Sequence, residues 1–260
     1  MNKGVKIGVA LEGGGAKGAY QVGVLKALKD LNINYDCVVG TSIGALNATS
    51  FVTGNYDECL KLWSDINFFK TNNKGNTNKF SNILDNLYNN IDEFEKDYMK
   101  SDGIDPEPII QLFDEIIDEK SIKNSNIELG IATYCLTDRK PLRLYKEDIP
   151  KGMLHKFIFA SCYLPIFKPR PINGKYYLDG SLFSKLPLEM AADKGCDVII
   201  AVRLRPEKYN FEKFSKIKII DIAPDEFLSS TLEASQDRIL WMINKGYEDA
   251  IRILSSVQLQ

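Results

Sequence analysis

A serine between two glycines is the clearest candidate for chemistry in the chain. Residues Gly40–Gly44 read G-T-S-I-G, with Ser42 at the centre, after a short apolar run and before a helical segment. A nucleophile at the tip of a tight strand-to-helix turn needs neighbours without side chains, here Gly40 and Gly44, so that its Oγ stays free. The helix N-terminus behind it favours developing negative charge. The pattern predicts a nucleophilic Ser42, with an ordinary tight turn as the alternative.

A glycine-rich run, Gly13–Gly18, follows the first apolar segment and reads G-G-G-A-K-G. Consecutive glycines present backbone N–H groups suited to an oxyanion or a phosphate. The run also satisfies the dinucleotide fingerprint, but that fold needs an acidic residue where Gly40–Ser42 stands. An ATP-type loop is excluded because Lys17 is followed by Gly18 instead of serine or threonine. A loop that serves Ser42 fits better, and a non-hydrolytic protein that binds a nucleotide or phospholipid headgroup is the alternative.

The candidate base for Ser42 is an aspartate. The chain holds one histidine, His155, at the start of a predicted helix with no acidic residue beside it in the sequence, which disfavours a Ser-His-Asp triad. Asp179 lies in the run Tyr177–Ser181, and an aspartate acting directly on serine is the economical alternative. A single histidine also excludes a metal site built from several histidines.

Composition places these motifs in an ordinary globular chain. Of 260 residues, 44% are hydrophobic and 26% charged, and 33 basic against 35 acidic residues leave no electrostatic footprint for nucleic acid. The five scattered cysteines indicate reduced thiols instead of a disulfide framework or a zinc site. Because neither a signal peptide nor a membrane-spanning stretch is recognisable, we expect a cytoplasmic protein, either free or peripheral at a membrane.

The elements that would position the motifs alternate between strands and helices. A strand over Val5–Leu11, a helix over about 16–29, a strand at Cys37–Val39 and a helix from Ala45 onward are typical of an α/β fold with a largely parallel sheet. Further predicted elements are a helix at Pro108–Ile117, paired strands at Glu128–Tyr134 and Pro141–Tyr145, strands at Asp197–Val202 and Ile217–Ile222, and an amphipathic helix over about 226–254. We predict one domain over residues 1–260 because no repeat or linker interrupts them.

Two segments allow a structural and a functional interpretation. The polar residues 67–90 favour an exposed surface insertion over a flap that covers an active site. The apolar runs Phe157–Phe159 and Pro165–Phe167 favour core packing over contacts to an acyl chain.

Four motifs, in order along the chain, resemble those of the patatin-like phospholipase family. They are the glycine-rich loop at Gly13–Gly18, the G-x-S-x-G at Gly40–Gly44, an A-S-x-x-x-P element at Ala160–Pro165 and the Asp-Gly pair at Asp179–Gly180. The run Lys245–Ala250 is similar to the terminal helix of bacterial members, so the resemblance covers nearly the whole chain.

The resemblance implies a three-layer α/β/α fold and a lipid acylhydrolase that uses a Ser-Asp dyad. Ser42 would be the nucleophile and Asp179 the general base, and the N–H groups of Gly13, Gly14 and Gly15 would form the oxyanion hole. The substrate would be a phospholipid or lysophospholipid, taken through transient contact with a membrane surface, and no metal or other cofactor would be required. The sequence carries no signal for an oligomeric state.

Two positions depart from the family pattern. Lys17 stands where arginine is usual, which keeps the charge but loses the planar guanidinium fork. Ser181 stands where glycine or alanine is usual after Asp179–Gly180, and its small size predicts only a local effect.

Overall fold

A central seven-stranded sheet organises the fold in a computed structural model, which describes residues 4–65, 91–231 and 235–257. The predicted segment 67–90 lies outside the described residues. The strands are β1 (Ile7–Leu11), β2 (Cys37–Thr41), β3 (Glu128–Cys135), β4 (Lys140–Tyr145), β5 (Tyr177–Asp179), β6 (Val198–Val202) and β7 (Lys218–Ile222).

The sheet is mixed but mostly parallel. Its order is β4-β3-β2-β1-β6-β7, with β5 paired to β3 off this path. The pairs β3–β2, β2–β1, β1–β6 and β6–β7 are parallel, whereas β4 and β5 run antiparallel to β3. The loops that follow the five parallel strands therefore leave the sheet at one edge, which we call the carboxyl edge. In open α/β sheets, ligands bind at this edge.

Helices cover both faces of the sheet. Those in the described residues are α1 (Ala19–Asp30), α2 (Ile43–Thr53), α3 (Tyr56–Asp65), α4 (Ile91–Met99), α5 (Glu107–Ile116), α6 (Glu119–Asn124), α7 (Leu154–Ser161), α8 (Leu188–Asp193) and α9 (Gln236–Leu254). Short 3-10 turns occupy Gly15–Gly18, Gly180–Leu182 and Glu212–Phe214.

Two hydrophobic cores lie on opposite faces of the sheet because successive side chains of a strand point to opposite sides. Val9 and Val38 belong to the larger core, which contains residues of α1, α2, α7 and α9, while Ala10 and Val39 belong to the smaller core against α8. The predicted α/β class with a mostly parallel sheet between helical layers is confirmed. Phe159 is fully buried in the larger core, and Phe157 and Phe167 are nearly so, as core packing requires.

The C-terminal helix is shorter than predicted. The pattern indicated a helix from about residue 226, but α9 begins at Gln236, where Ser235 Oγ accepts the backbone N–H of Arg238 at 3.2 Å. Residues 226–231 are not helical. Serine and threonine here offer the backbone alternative hydrogen bonds, and the Thr231 carbonyl accepts the N–H of Ala16 at 2.9 Å, which holds this segment against the glycine-rich loop.

The described residues contain no helix of the length and apolar character that a bilayer crossing requires. All five cysteines are free thiols; four are buried and Cys162 is partly exposed. Within the same residues no cluster of three or more histidine, cysteine or carboxylate side chains could hold a metal ion.

Candidate active site

The pairing of β2 and β5 along β3 brings Ser42 and Asp179 together. Thr41, the last residue of β2, pairs with Ala132 of β3, and Asp179, the last residue of β5, pairs with the next residue, Thr133. Because Ser42 directly follows Thr41, the serine after the end of β2 lies next to the aspartate at the end of β5. The site therefore lies at the carboxyl edge.

The two side chains form a short, buried hydrogen bond. Ser42 Oγ donates to Asp179 Oδ2 at 2.6 Å, and the two residues are 8% and 1% exposed. The other carboxylate oxygen, Oδ1, accepts the backbone N–H of Ser181 at 2.7 Å. The N–H of Asp179 donates to the carbonyl of Tyr163 at 2.8 Å. Contacts on both sides therefore hold the carboxylate in one orientation toward the serine.

Burial raises the pKa of the Asp179 carboxyl group toward neutral pH. Desolvation raises the pKa of Asp179 to about 6, and the hydrogen bonds from Ser42 and Ser181 oppose that rise. A base is most effective when its pKa lies near the working pH while it is still ionised. Asp179 meets both conditions at pH 7.

The strand-to-helix turn at Ser42, which we call the elbow, has a strained backbone. Its φ of 55° and ψ of −127° lie in a region that residues with a Cβ rarely adopt. A Cβ on Gly40 would overlap the Gly44 carbonyl, and one on Gly44 would overlap the Leu11 carbonyl. Both glycines of the G-x-S-x-G pattern are therefore needed for β1, β2 and α2 to meet so closely.

The glycine-rich loop lies directly against the serine. A Cβ on Gly13 would overlap Ser181 Oγ and stand 3.2 Å from Ser42 Cβ. The N–H of Gly13 donates to the Lys185 carbonyl at 2.9 Å. The amides of Gly14 and Gly15, in contrast, have no hydrogen-bond partner among the described residues. Of the three predicted oxyanion donors, these two are the ones left free.

A buried charge cluster supports the root of this loop. Glu12 Oε2 accepts the N–H of Leu204 at 2.5 Å, and its other oxygen pairs with Arg205. Lys17 is buried and its Nζ donates to Thr231 Oγ1 at 3.2 Å. Burial, and next the charge of Arg205, lower the pKa of Lys17. The lysine at the usual arginine position therefore binds the neighbouring loop.

The remaining motif glycines allow backbones to approach each other. A Cβ on Gly18 would lie 2.6 Å from Ile43 Cγ1, and the Gly18 carbonyl accepts Asn47 Nδ2 at 2.9 Å, which packs the start of α1 onto α2. A Cβ on Gly180 would overlap the carbonyl of Ala132. These two glycines allow the glycine-rich loop and Asp179 to lie close to Ser42.

His155 lies away from Ser42 and Asp179. Its Nδ1 is 3.0 Å from Asp114 Oδ1 on α5, a partner that sequence distance could not reveal. It sits in the first turn of α7, whereas Ser161, which contacts Ser42, ends that helix about 9 Å along the axis. The structure therefore brings together Ser42, Asp179 and the glycine-rich loop and leaves the histidine outside.

Sequence reasoning missed two neighbours of the serine. Ser161 Oγ accepts the backbone N–H of Ser42 at 2.8 Å and donates to the Ala132 carbonyl at 2.6 Å. Cys162 follows Ser161 directly, and burial, then the charge of Asp179, raises the pKa of its thiol, while the proximity of Ser42 opposes that rise. Both Ser161 and Cys162 lie in the Ala160–Pro165 element, which resembles a motif of the family. The sequence did not indicate a role for either residue.

Solved structures share this fold at low sequence identity. VipD from Legionella pneumophila superposes with a TM-score of 0.59 at 16% identity, covering 98% of this chain and 67% of VipD. The type III effector protein ExoU does so with a TM-score of 0.51 at 13% identity, covering 97% of this chain and 53% of ExoU. At these identities the likeness shows the fold.

Curated relatives match at higher identity. The chain is 28% identical over 217 residues to patatin-like phospholipase domain-containing protein 7 of Mus musculus, covering 78% of this chain and 14% of that protein. It is 26% identical over 203 residues to lysophospholipase NTE1 of Kluyveromyces lactis, covering 76% of this chain and 12% of that protein. The chain therefore spans a small part of the length of these relatives.

The family comparison covers the motifs that build the site. Residues 9–192 match the patatin-like phospholipase family, a stretch that runs from β1 through the glycine-rich loop, Ser42 and Asp179 to α8. The fold, the order of the motifs and this match agree, and the chain belongs to the patatin-like phospholipase family.

Proposed function

We propose that this chain hydrolyses fatty-acyl esters of phospholipids or lysophospholipids, with Ser42 as nucleophile and Asp179 as general base. The observation that carries the proposal is the 2.6 Å hydrogen bond between the two side chains at a strained strand-to-helix turn. The names of the curated relatives, a patatin-like phospholipase domain-containing protein and a lysophospholipase, support the substrate class.

Acylation begins with attack of Ser42 Oγ on the ester carbonyl carbon. Asp179 Oδ2 takes the serine proton as the bond forms, which activates a hydroxyl that is otherwise a weak nucleophile. The carbonyl oxygen becomes an oxyanion, and the donors that we assign to it are the amides of Gly14 and Gly15, which have no partner among the described residues. A well-placed donor of this kind stabilises the transition state by about 3 kcal/mol.

Collapse of the tetrahedral intermediate breaks the ester C–O bond. The protonated Asp179 returns its proton to the leaving alcohol, and the acyl group stays on Ser42. Water then attacks the acyl carbon with Asp179 again as base, and the fatty acid leaves with the serine restored. This chain's residues supply a nucleophile, a base and oxyanion donors for both halves of the reaction.

A fluorophosphonate probe tests the assignment of the nucleophile. The wild-type protein should be labelled at one site, the Ser42→Ala variant should not be labelled, and hydrolysis of a short-chain p-nitrophenyl ester should disappear with the label. Labelling retained in Ser42→Ala would overturn the assignment. A lipid panel analysed by mass spectrometry, wild type against Ser42→Ala, then tests the substrate class.

Nucleotide binding provides the opposing measurement. Tight binding of a nucleotide, with neither labelling nor ester hydrolysis, would favour the non-hydrolytic alternative. The same outcome would contradict the role of Ser42.

A further inference from the structure

Ser161 links the backbone of the candidate nucleophile to the central sheet. It ends α7 and is fully buried. Its hydroxyl accepts the N–H of Ser42 at 2.8 Å and donates to the carbonyl of Ala132 at 2.6 Å. Ala132 of β3 pairs with Thr41, the last residue of β2. The Ser161 hydroxyl therefore ties Ser42 to β3 just after the backbone pairing of the two strands ends.

The elbow needs such a contact. Ser42 holds a positive φ, and strained conformations persist only when the surroundings determine them fully. A buried N–H without an acceptor is strongly unfavourable, so loss of the Ser161 hydroxyl would favour rotation of the Ser42 backbone toward another acceptor. Such a rotation would disturb the 2.6 Å contact of Oγ with Asp179.

We propose that Ser161 is a positioning residue, whose hydroxyl holds the backbone of Ser42 so that Oγ stays directed at Asp179. The inference rests on the proposed function, because it concerns the geometry of the same nucleophile. Serine suits the position since a single hydroxyl must accept from one backbone group and donate to another.

Thr133 offers a matched control for a purely structural role. It is as buried as Ser161, and its Oγ1 lies 2.9 Å from the Ala160 carbonyl and 3.0 Å from the Leu178 carbonyl. Its hydroxyl thus joins β3 to the end of α7 and to β5, and neither of these hydrogen bonds involves Ser42. The backbone pairing of Thr133 with Asp179 survives replacement of its hydroxyl by a methyl group.

The experiment compares Ser161→Ala with Thr133→Val on p-nitrophenyl butyrate. We expect kcat of Ser161→Ala to fall about 100-fold with KM within about twofold of wild type, because a displacement near 1 Å at a nucleophile has that effect. Thr133→Val should keep kcat within about threefold, while both variants lose thermal stability. Equal loss of kcat in the two variants would overturn the proposal.

The acid limb of the pH–rate profile is a second measurement. It should not move if Ser161 has only a structural role. The hydrogen bond from Ser42 lowers the pKa of Asp179, so misplacement of the serine in Ser161→Ala should move the limb to higher pH. Thr133→Val should keep the wild-type limb. An unmoved limb in Ser161→Ala would contradict the proposal.

A separate measurement keeps this inference distinguishable from the proposed function. If the wild-type protein shows neither hydrolysis nor labelling, the proposed function fails. Hydrogen exchange of the Ser42 amide then decides the positioning role, with faster exchange in Ser161→Ala than in Thr133→Val expected. Equal exchange in the two variants would overturn it.

Discussion

The Asp179 carboxylate lies 2.6 Å from the Ser42 hydroxyl although the two residues are 137 positions apart in the chain. The three-residue strand β5 produces this proximity, because it pairs with β3 at the residue next to the partner of Thr41. A carboxylate with one oxygen on Ser42 and the other on the Ser181 amide is held in the orientation that the proposed proton transfer requires.

Replacing Asp179, the proposed base, should abolish turnover without unfolding the protein. In Asp179→Asn the remaining oxygen can accept the Ser181 amide, while the NH₂ group donates to Ser42 Oγ and cannot remove its proton. We expect kcat to fall by on the order of 10³- to 10⁴-fold, with a circular dichroism spectrum like that of wild type. Full turnover in this variant would exclude the dyad.

The pH dependence should follow the raised pKa of the base. Burial places the pKa of Asp179 at about 6, and only the ionised carboxylate can take a proton. We expect kcat/KM to rise about tenfold per pH unit below that value and to level off above it. A profile measured with a neutral short-chain ester checks this, and a limb near pH 4 would contradict the effect of burial.

The local parts of the site could be predicted from the sequence. A strand, a glycine-rich loop and a helix, or a strand, a G-x-S-x-G turn and a helix, are contiguous in the chain, so Gly13–Gly18 and Gly40–Gly44 were recognisable from spacing alone. Asp179 was a candidate because His155 was poorly placed, and the family resemblance then added its role as general base. Its strand could not be identified, because β5 has three residues and too little periodicity.

The long-range contacts could not be predicted. The Gly13 amide donates to the Lys185 carbonyl, whereas the Gly14 and Gly15 amides have no partner among the described residues. This difference depends on how the 181–185 segment returns to the loop. The Ser161 contact likewise depends on where α7 ends against β3. Such hydrogen bonds follow from tertiary packing, which local propensity does not encode.

The raised pKa of Asp179 also makes a prediction about stability. Below about pH 4 the carboxyl is protonated in both the folded and the unfolded chain, and above about pH 6 it is ionised in both, so folding becomes less favourable as pH rises between these values. The destabilisation amounts to about 3 kcal/mol at pH 7.5. Asparagine does not titrate and is free of this effect. The stability of Asp179→Asn relative to wild type should therefore be higher at pH 7.5 than at pH 4.5.

Urea denaturation at the two pH values measures this difference. The free energy of unfolding of Asp179→Asn minus that of wild type should be larger at pH 7.5. A difference independent of pH would show that the carboxyl has its ordinary pKa in the folded protein.

Removal of the histidine should have little effect on catalysis. His155 pairs with Asp114 on α5, and the side chain of Asp114 is 69% exposed, so the pair contributes less than about 1 kcal/mol. We expect His155→Ala to keep kcat within about twofold, as should Asp114→Ala, which breaks the same contact from the other side. Loss of turnover in His155→Ala alone would assign the histidine a chemical role.

The glycine-rich loop lies so close to Ser42 that a side chain on Gly13 should clash with its neighbours, and a second substitution should relieve the clash. A Cβ on Gly13 would overlap Ser181 Oγ and press on Ser42, so Gly13→Ala should lower kcat by on the order of 100-fold. Ser181→Ala should keep most activity because its backbone amide still binds Asp179. The double variant lacks the overlapping oxygen and should recover about tenfold over Gly13→Ala. Strictly additive losses in the double variant would show instead that Gly13 affects the site through another contact, the Thr41 carbonyl being 3.0 Å from the added carbon.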